Sequence, residues 1–203
     1  MTVVLEKVVV KKLGRIEYSS ALQAMRTFTR ERGEATPDEL WLVEHPAVYT
    51  LGQGAREVVV SNGIPVVRSD RGGEITYHGP GQIVLYALID LARRGIKVKQ
   101  FVALLEQSVI DLVGPRAERK TGAPGVYVGG AKIAALGIRV TRGRSYHGLA
   151  LNVDMDLAPF AAIDPCGFPG LRVTQTRDLK IEKSKKEMED RLVKLLIARI
   201  ENA

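Results

Sequence analysis

The 203-residue chain has one cysteine, Cys166, in the run Asp164-Pro165-Cys166-Gly167-Phe168-Pro169-Gly170. A lone cysteine is commonly a small buried hydrophobe. Two prolines and two glycines around it instead describe a rigid, irregular loop, which is better suited to expose and aim a side chain. Its thiolate would be the nucleophile, and a nearby cation would favour it over the thiol, whose ordinary pKa is about 8.5. Lys132, in Gly129-Gly130-Ala131-Lys132-Ile133-Ala134-Ala135-Leu136-Gly137, is a candidate for that cation. A solvated lysine is the plainer reading of the same residue.

A second glycine-rich stretch runs Arg71-Gly72-Gly73-Glu74-Ile75-Thr76-Tyr77-His78-Gly79-Pro80-Gly81-Gln82. Glycine lets backbone approach a ligand closely, and this stretch is richer than a tight turn requires. Other familiar signatures fail. Gly52-Gln53-Gly54-Ala55-Arg56-Glu57 places Glu57 where a dinucleotide loop needs its third glycine. Gly125 to Gly130 has P-loop spacing, but Ala131 takes the lysine position and Ile133 follows Lys132 where Ser or Thr should stand. His45, His78 and His147 have no short paired spacing, so nothing in the sequence supports a zinc site.

The elements that must carry these residues follow from periodicity. The β-branched run Val3 to Val10 reads as a strand. Ser19-Ser20 can cap a helix carrying Leu22, Met25 and Phe28 and ending by Gly33. Leu40 to Val43, Val58 to Val60, Val66-Val67 and Ile83 to Ile89 read as strands. Val98 to Val113 is an amphipathic helix stopped by Gly114-Pro115. Gly125 to Val128, Ala131 to Val140 and Tyr146 to Val153 are β-like, and Glu182 to Ile200 forms a closing helix. Without a regular βαβ rhythm this predicts an α+β fold, as a single domain over 1–203.

Hydrophobic residues make up 45% and charged residues 26% of the chain, ordinary globular values. The longest apolar run, Ile83 to Ile89, is far short of the roughly 20 residues of a membrane span. The N-terminus turns charged early, unlike a signal peptide. These features predict a soluble, cytoplasmic protein without a membrane partner. The net charge of +7 fits nucleic acid or an acidic protein partner, but aromatics are only 5% and no basic block is interleaved with them, so no nucleic-acid partner is expected.

Taken together, the motifs resemble those of the lipoyl(octanoyl) transferases, of the biotin/lipoate protein ligase catalytic-domain superfamily. The likeness runs through Glu44-His45-Pro46-Ala47-Val48-Tyr49-Thr50-Leu51-Gly52, Arg71 to Gln82, Gly122 to Val128, Gly130 to Ala134, Tyr146 to Asp154 and Pro165-Cys166-Gly167, in order, across residues 40 to 178. It implies an α+β fold of mixed, largely antiparallel sheets flanked by helices. It implies transfer of an octanoyl group from octanoyl-acyl carrier protein to a lysine of lipoyl domains, in 2-oxoacid dehydrogenase complexes and the glycine cleavage H protein. It implies no cofactor, no metal and a monomer. By the same resemblance Cys166 carries the acyl thioester and Lys132 lowers its pKa. Arg71, Gly72, Gly73, Glu74, Ile75, Thr76, Tyr77, His78, Ala135, Leu136, Gly137, Gly148, Leu149 and Ala150 line the acyl substrate, with His45 and His147 in support. Gln53 stands where a basic residue is more usual, and Arg177-Asp178 extends an altered C-terminal segment. An ATP-dependent lipoate or biotin ligase on the same fold is the nearest rival. A noncatalytic acyl- or nucleic-acid-binding module is the rival from another class.

Overall fold

In the computed structural model, which describes residues 7–57, 60–163 and 170–203, ten strands form two sheets. They are β1 (Val9–Arg15), β2 (Glu39–Glu44), β3 (Val48–Leu51), β4 (Val66–Arg68), β5 (Ile75–His78), β6 (Gln82–Leu88), β7 (Ala117–Arg119), β8 (Gly125–Val128), β9 (Ala131–Thr141) and β10 (Arg144–Asn152). The helices are α1 (Tyr18–Glu31), the short α2 (Leu91–Arg94), α3 (Val98–Val113) and α4 (Lys185–Glu201), with a 3-10 turn at Ala158–Ala162. The larger sheet has the order β1-β2-β6-β10-β9-β8-β7, with only β1 and β2 parallel. The smaller has the order β4-β3-β5. This is the expected α+β architecture.

The sheets are held by three apolar clusters. Phe101, Leu105 and Val109 of α3 and Leu192 and Leu196 of α4 cover one face of the large sheet. Leu22 and Met25 of α1 pack on Trp41, Tyr86 and Ala150. Tyr49, Tyr77 and Phe160 join the small sheet to the 3-10 turn. A capping box starts α4: Ser184 accepts from the Glu187 amide, and Glu187 accepts from the Ser184 amide.

Differences from the expected elements have local causes. The first strand is Val9–Arg15 rather than Val3 to Val10; residues 1–6 lie outside the described residues, and β1 takes its length from parallel pairing with β2 despite Lys11, Lys12 and Gly14. The helix begins at Tyr18 with Glu17 as its cap, ahead of Ser19-Ser20. The glycine-rich stretch contains a buried strand, β5, paired antiparallel with β3. Val60 is not in a strand, and Val58 lies outside the described residues. Among the described residues no helix is long and apolar enough to cross a membrane.

One buried ion cluster staples the turn after α1 to α2. Asp38 accepts from Arg32 Nη2 (2.6 Å), Arg93 Nη2 (2.9 Å) and Arg94 Nε (2.5 Å), and from the Asp90 amide (2.7 Å). Burial alone would raise its pKa; these donors outweigh burial and hold the carboxyl below the usual range. Removing one partner of a buried charge cluster typically costs about 3–5 kcal/mol. Asp38→Asn is therefore expected to lower unfolding free energy by about that amount, read from denaturant melts at neutral pH.

Candidate active site

The site is a notch in the edge of the large sheet. On its outer edge β9 pairs with β8 only from Ala131 to Ala135. Further along the same edge, the Gly72 amide donates to the Ile138 carbonyl at 3.0 Å. Between these two attachments, Leu136 and Gly137 border a cavity of about 350 Å³. Gly72, Gly73 and Glu74 form one wall and Gly122, Ala123 and Pro124 another. Val102 of α3 and the side chain of Lys132 complete it. Its surface is mostly carbon, suited to an alkyl chain, with one ammonium in the wall.

Lys132 is 3% exposed. Its Nζ donates to the Pro124 carbonyl at 3.2 Å and lies 5.2 Å from the centre of the Tyr127 ring. Three features bring it there. The β8–β9 register shifts between Val126 and Tyr127, leaving Ile133 without a partner strand residue; such bulges re-aim side chains. Gly125, at φ +141°, leaves room: a Cβ there would lie 3.0 Å from Lys132 Cε and 2.8 Å from the Ala134 carbonyl. The backbone of Lys132 is clamped by the segment beyond Gly170: its amide donates to the Arg172 carbonyl (2.8 Å), and its carbonyl accepts from the Thr174 amide (3.0 Å). The run Asp164 to Pro169, with Cys166, lies outside the described residues.

The wall at Gly72–Glu74 has its own frame. Arg71 is buried, and its guanidinium binds the Thr50 carbonyl and hydroxyl and the carbonyls of Gly72 (3.0 Å) and Glu74 (2.6 Å). Arg71 thus curls the loop around itself. Asp70, one residue earlier, accepts from His147 Nε2 (2.8 Å), Tyr146 (2.8 Å) and Arg26 (2.9 Å). This ties the loop to β10 and α1.

The three histidines form one buried cluster beneath this loop. His45 contacts the Ile16 carbonyl through Nδ1 and the Tyr86 hydroxyl through Nε2, both at 2.7 Å. His78 Nδ1 meets Gln82 Oε1 at 2.8 Å, and its ring stacks on Tyr18 with centroids 5.8 Å apart. The His45 and His78 rings are edge to face at 5.9 Å. Burial lowers all three pKa values, to about 3 for His78, where His45 adds to the effect. Asp70 is lowered although burial alone would raise it, because His147, Tyr146 and Arg26 donate to it. Neutral His147 donating to ionised Asp70 satisfies both. Among the described residues no group of His, Cys, Asp and Glu is arranged to hold a metal.

The expected site residues therefore divide. Gly72, Gly73, Glu74, Lys132, Leu136 and Gly137 meet around the cavity. Arg71 supports it from behind, and Ile75, Thr76, Tyr77 and His78 form β5. Ala135, Gly148, Leu149 and Ala150 lie in the central β9–β10 pairing: Leu149 faces the α3–α4 cluster and Ala150 the α1 cluster. Sequence reasoning missed Glu106, Asp70 and Val102. Glu106 is buried on α3; its Oε1 accepts from the Gly125 amide (3.0 Å) and its Oε2 from Arg119 Nε (3.0 Å), so it holds the turn that receives Lys132. A carboxylate one residue from core-facing Leu105 on an apolar helix was the available signal.

The lipoyl protein ligase A/B catalytic domain matches residues 17–196. Octanoyltransferases of Dechloromonas aromatica (strain RCB) and Thiobacillus denitrificans (strain ATCC 25259 / T1) are 56% and 58% identical, over 95% and 93% of this chain and 97% and 88% of theirs. The chain belongs to the octanoyltransferase family. Its fold is shared with lipoate-protein ligase A bound with ATP, at TM-score 0.78 and 17% identity, covering 97% of this chain and 86% of that one. The biotin protein ligase from Aquifex aeolicus in complex with biotin and ATP is a more distant match, at TM-score 0.59 and 11% identity, covering 97% and 71%.

The histidine cluster generates a pH prediction. The unfolded chain protonates histidine near pH 6.5 and the folded chain does so only at lower pH. Folding is thus penalised by acid: the stability is present above about pH 6.5 and falls as pH drops below it, with depressed Asp70 acting in the same direction at lower pH. The midpoint of thermal unfolding is expected to fall steadily from about pH 7 to about pH 4.5, and less steeply in His78→Gln. Parallel curves for the two proteins would remove His78 from the account.

Proposed function

We propose that the protein transfers an octanoyl group from the thioester of an acyl carrier protein to a lysine amine of lipoyl domains, by way of an acyl-Cys166 thioester. The observation that carries this reading is Lys132, an ammonium buried in the wall of a carbon-lined notch of acyl size. The family membership supports it, since the octanoyltransferases it matches share most of its length.

In the first half-reaction the Cys166 thiolate attacks the thioester carbonyl carbon. The carbon–sulfur bond to the pantetheine arm breaks, and the departing thiolate takes a proton from Lys132. One thioester replaces another, so the step is nearly neutral in energy and needs no ATP. In the second, an acceptor amine attacks the acyl-Cys166 carbonyl. Neutral Lys132 takes the amine proton, the bond to Cys166 Sγ breaks, and the thiolate and ammonium are restored. Splitting one transfer into two is covalent catalysis, and Lys132 serves as acid and then base. Burying roughly seven methylenes at ~0.8 kcal/mol each gives on the order of 5 kcal/mol for acyl binding. The acceptors on this reading are the lipoyl domains of 2-oxoacid dehydrogenase complexes and the glycine cleavage H protein, and the catalyst works as a cytoplasmic monomer.

Mass spectrometry after incubation with octanoyl-acyl carrier protein is expected to show one octanoyl adduct at Cys166, absent in Cys166→Ser. Lys132→Ala should fold normally and lose at least about 100-fold in transfer rate, the lower range for general acid–base work. Normal transfer by Cys166→Ser would sink the covalent route. A strict requirement for ATP would instead favour a ligase.

A further inference from the structure

We propose that Val102 determines how long an acyl chain the notch accepts; the length assignment rests on the acyl-transfer reading above. Among the described residues that line the notch, few side chains could set its depth. Gly72, Gly73, Gly122 and Gly137 contribute only backbone. Leu136 and Ile138 line the notch, but both also pack against the main apolar cluster, so their size is fixed by the core. Val102 is half-buried, lines the notch, and belongs to none of the three apolar clusters among the described residues. The α3 stripe of Phe101, Leu105 and Val109 enters the core. Val102 shares the helix face of Leu105 and Val109 but, lying nearer the start of the helix, lines the cavity and is not part of the cluster. Its size can therefore vary without disturbing the fold.

Its neighbours on the helix fix its direction. Residues four apart share a helix face. One turn after Val102 is Glu106, which holds the Gly125 amide beside Lys132. One turn before it is Val98, a large apolar side chain left 47% exposed. Val102 thus stands between the Lys132 end of the notch and the exposed apolar side chain of Val98. With a smaller residue, a longer chain continues past it toward Val98. With a larger one, the last methylenes of an octanoyl chain lose their place.

The test compares kcat/KM for hexanoyl-, octanoyl- and dodecanoyl-acyl carrier protein in the wild type, Val102→Ala and Val102→Phe, with binding of free octanoate and dodecanoate measured by calorimetry on the same proteins. Two methylenes gained or lost correspond to roughly tenfold. Val102→Ala is expected to raise the dodecanoyl-to-octanoyl ratio by roughly that factor or more, and Val102→Phe to lower the octanoyl-to-hexanoyl ratio similarly. Ratios unchanged in both folded variants, by turnover and by binding, overturn the proposal. If no protein transfers any acyl group yet the binding ratios shift as stated, the length assignment holds and the transfer reading fails.

Discussion

An ammonium taken out of water is costly unless the protein supplies donors' partners in place of the lost hydration, and much of this molecule is arranged around Lys132. The Pro124 carbonyl and the Tyr127 ring face Nζ. Pro124 is set in place by Gly125, whose amide is bound by Glu106, and Glu106 is set in place by α3, which is anchored in the core through Phe101 and Leu105. The backbone of Lys132 is held from the other side by Arg172 and Thr174, which occupy the sheet edge where β10 has ended. Asn152, the last residue of β10, extends that clamp by donating to the Thr174 carbonyl. The lysine is thus fixed at its main chain and at its tip by elements far apart in sequence.

A second frame positions the opposite wall. Arg71 binds carbonyls of its own loop, and Asp70 binds His147, Tyr146 and Arg26. The charges of these neighbours are opposite and both are bound, so the loop is rigid without a large apolar core of its own. The resemblance suggested Arg71 as a residue against the substrate. Its guanidinium donates to Thr50, Gly72 and Glu74, and these bonds hold the wall in place. His45, His78 and Gln82 likewise fill the space between the sheets, and burial keeps the two rings neutral. His147 is tied to the loop through Asp70, and burial holds the pKa values of all three histidines below the ordinary value.

What could be read from the sequence followed periodicity. The apolar stripe of α3 announced Val98–Val113 because its burial is one-sided and long. The strands β8 and β9 were legible from their β-branched and aromatic residues between glycines, and β10 from Tyr146 and the apolar run Leu149 to Leu151. β5 was not: Gly72-Gly73 and Gly79-Pro80-Gly81 surround four residues, and only pairing with β3 makes them a strand. β1 was misplaced because an edge strand is set by its neighbour more than by its own hydrophobicity. For the site, Lys132 was legible from its glycine setting and the family motif, whereas Glu106 and Asp70 act through contacts between residues 19 and 77 positions apart. No local pattern carries such contacts. Cys166 rests on its motif alone, since its run lies outside the described residues.

The glycines give the sharpest revision. By size alone they suggest open space for an acyl chain. A Cβ on Gly148 would lie 2.1 Å from the Leu85 carbonyl, and one on Gly137 would lie 2.8 Å from the Gly72 carbonyl. These distances are shorter than any side chain tolerates, so the glycines are required by backbone meeting backbone, between β10 and β6 and between β9 and the Arg71 loop. The free space of the notch arises elsewhere, from the gap between the end of β8 pairing at Ala135 and the Gly72–Ile138 bond. Sheet register therefore fixes where the notch lies, and the glycines permit that register. On the acyl-transfer reading proposed above, chain length is then left to whichever side chain projects into the gap without a duty in the core.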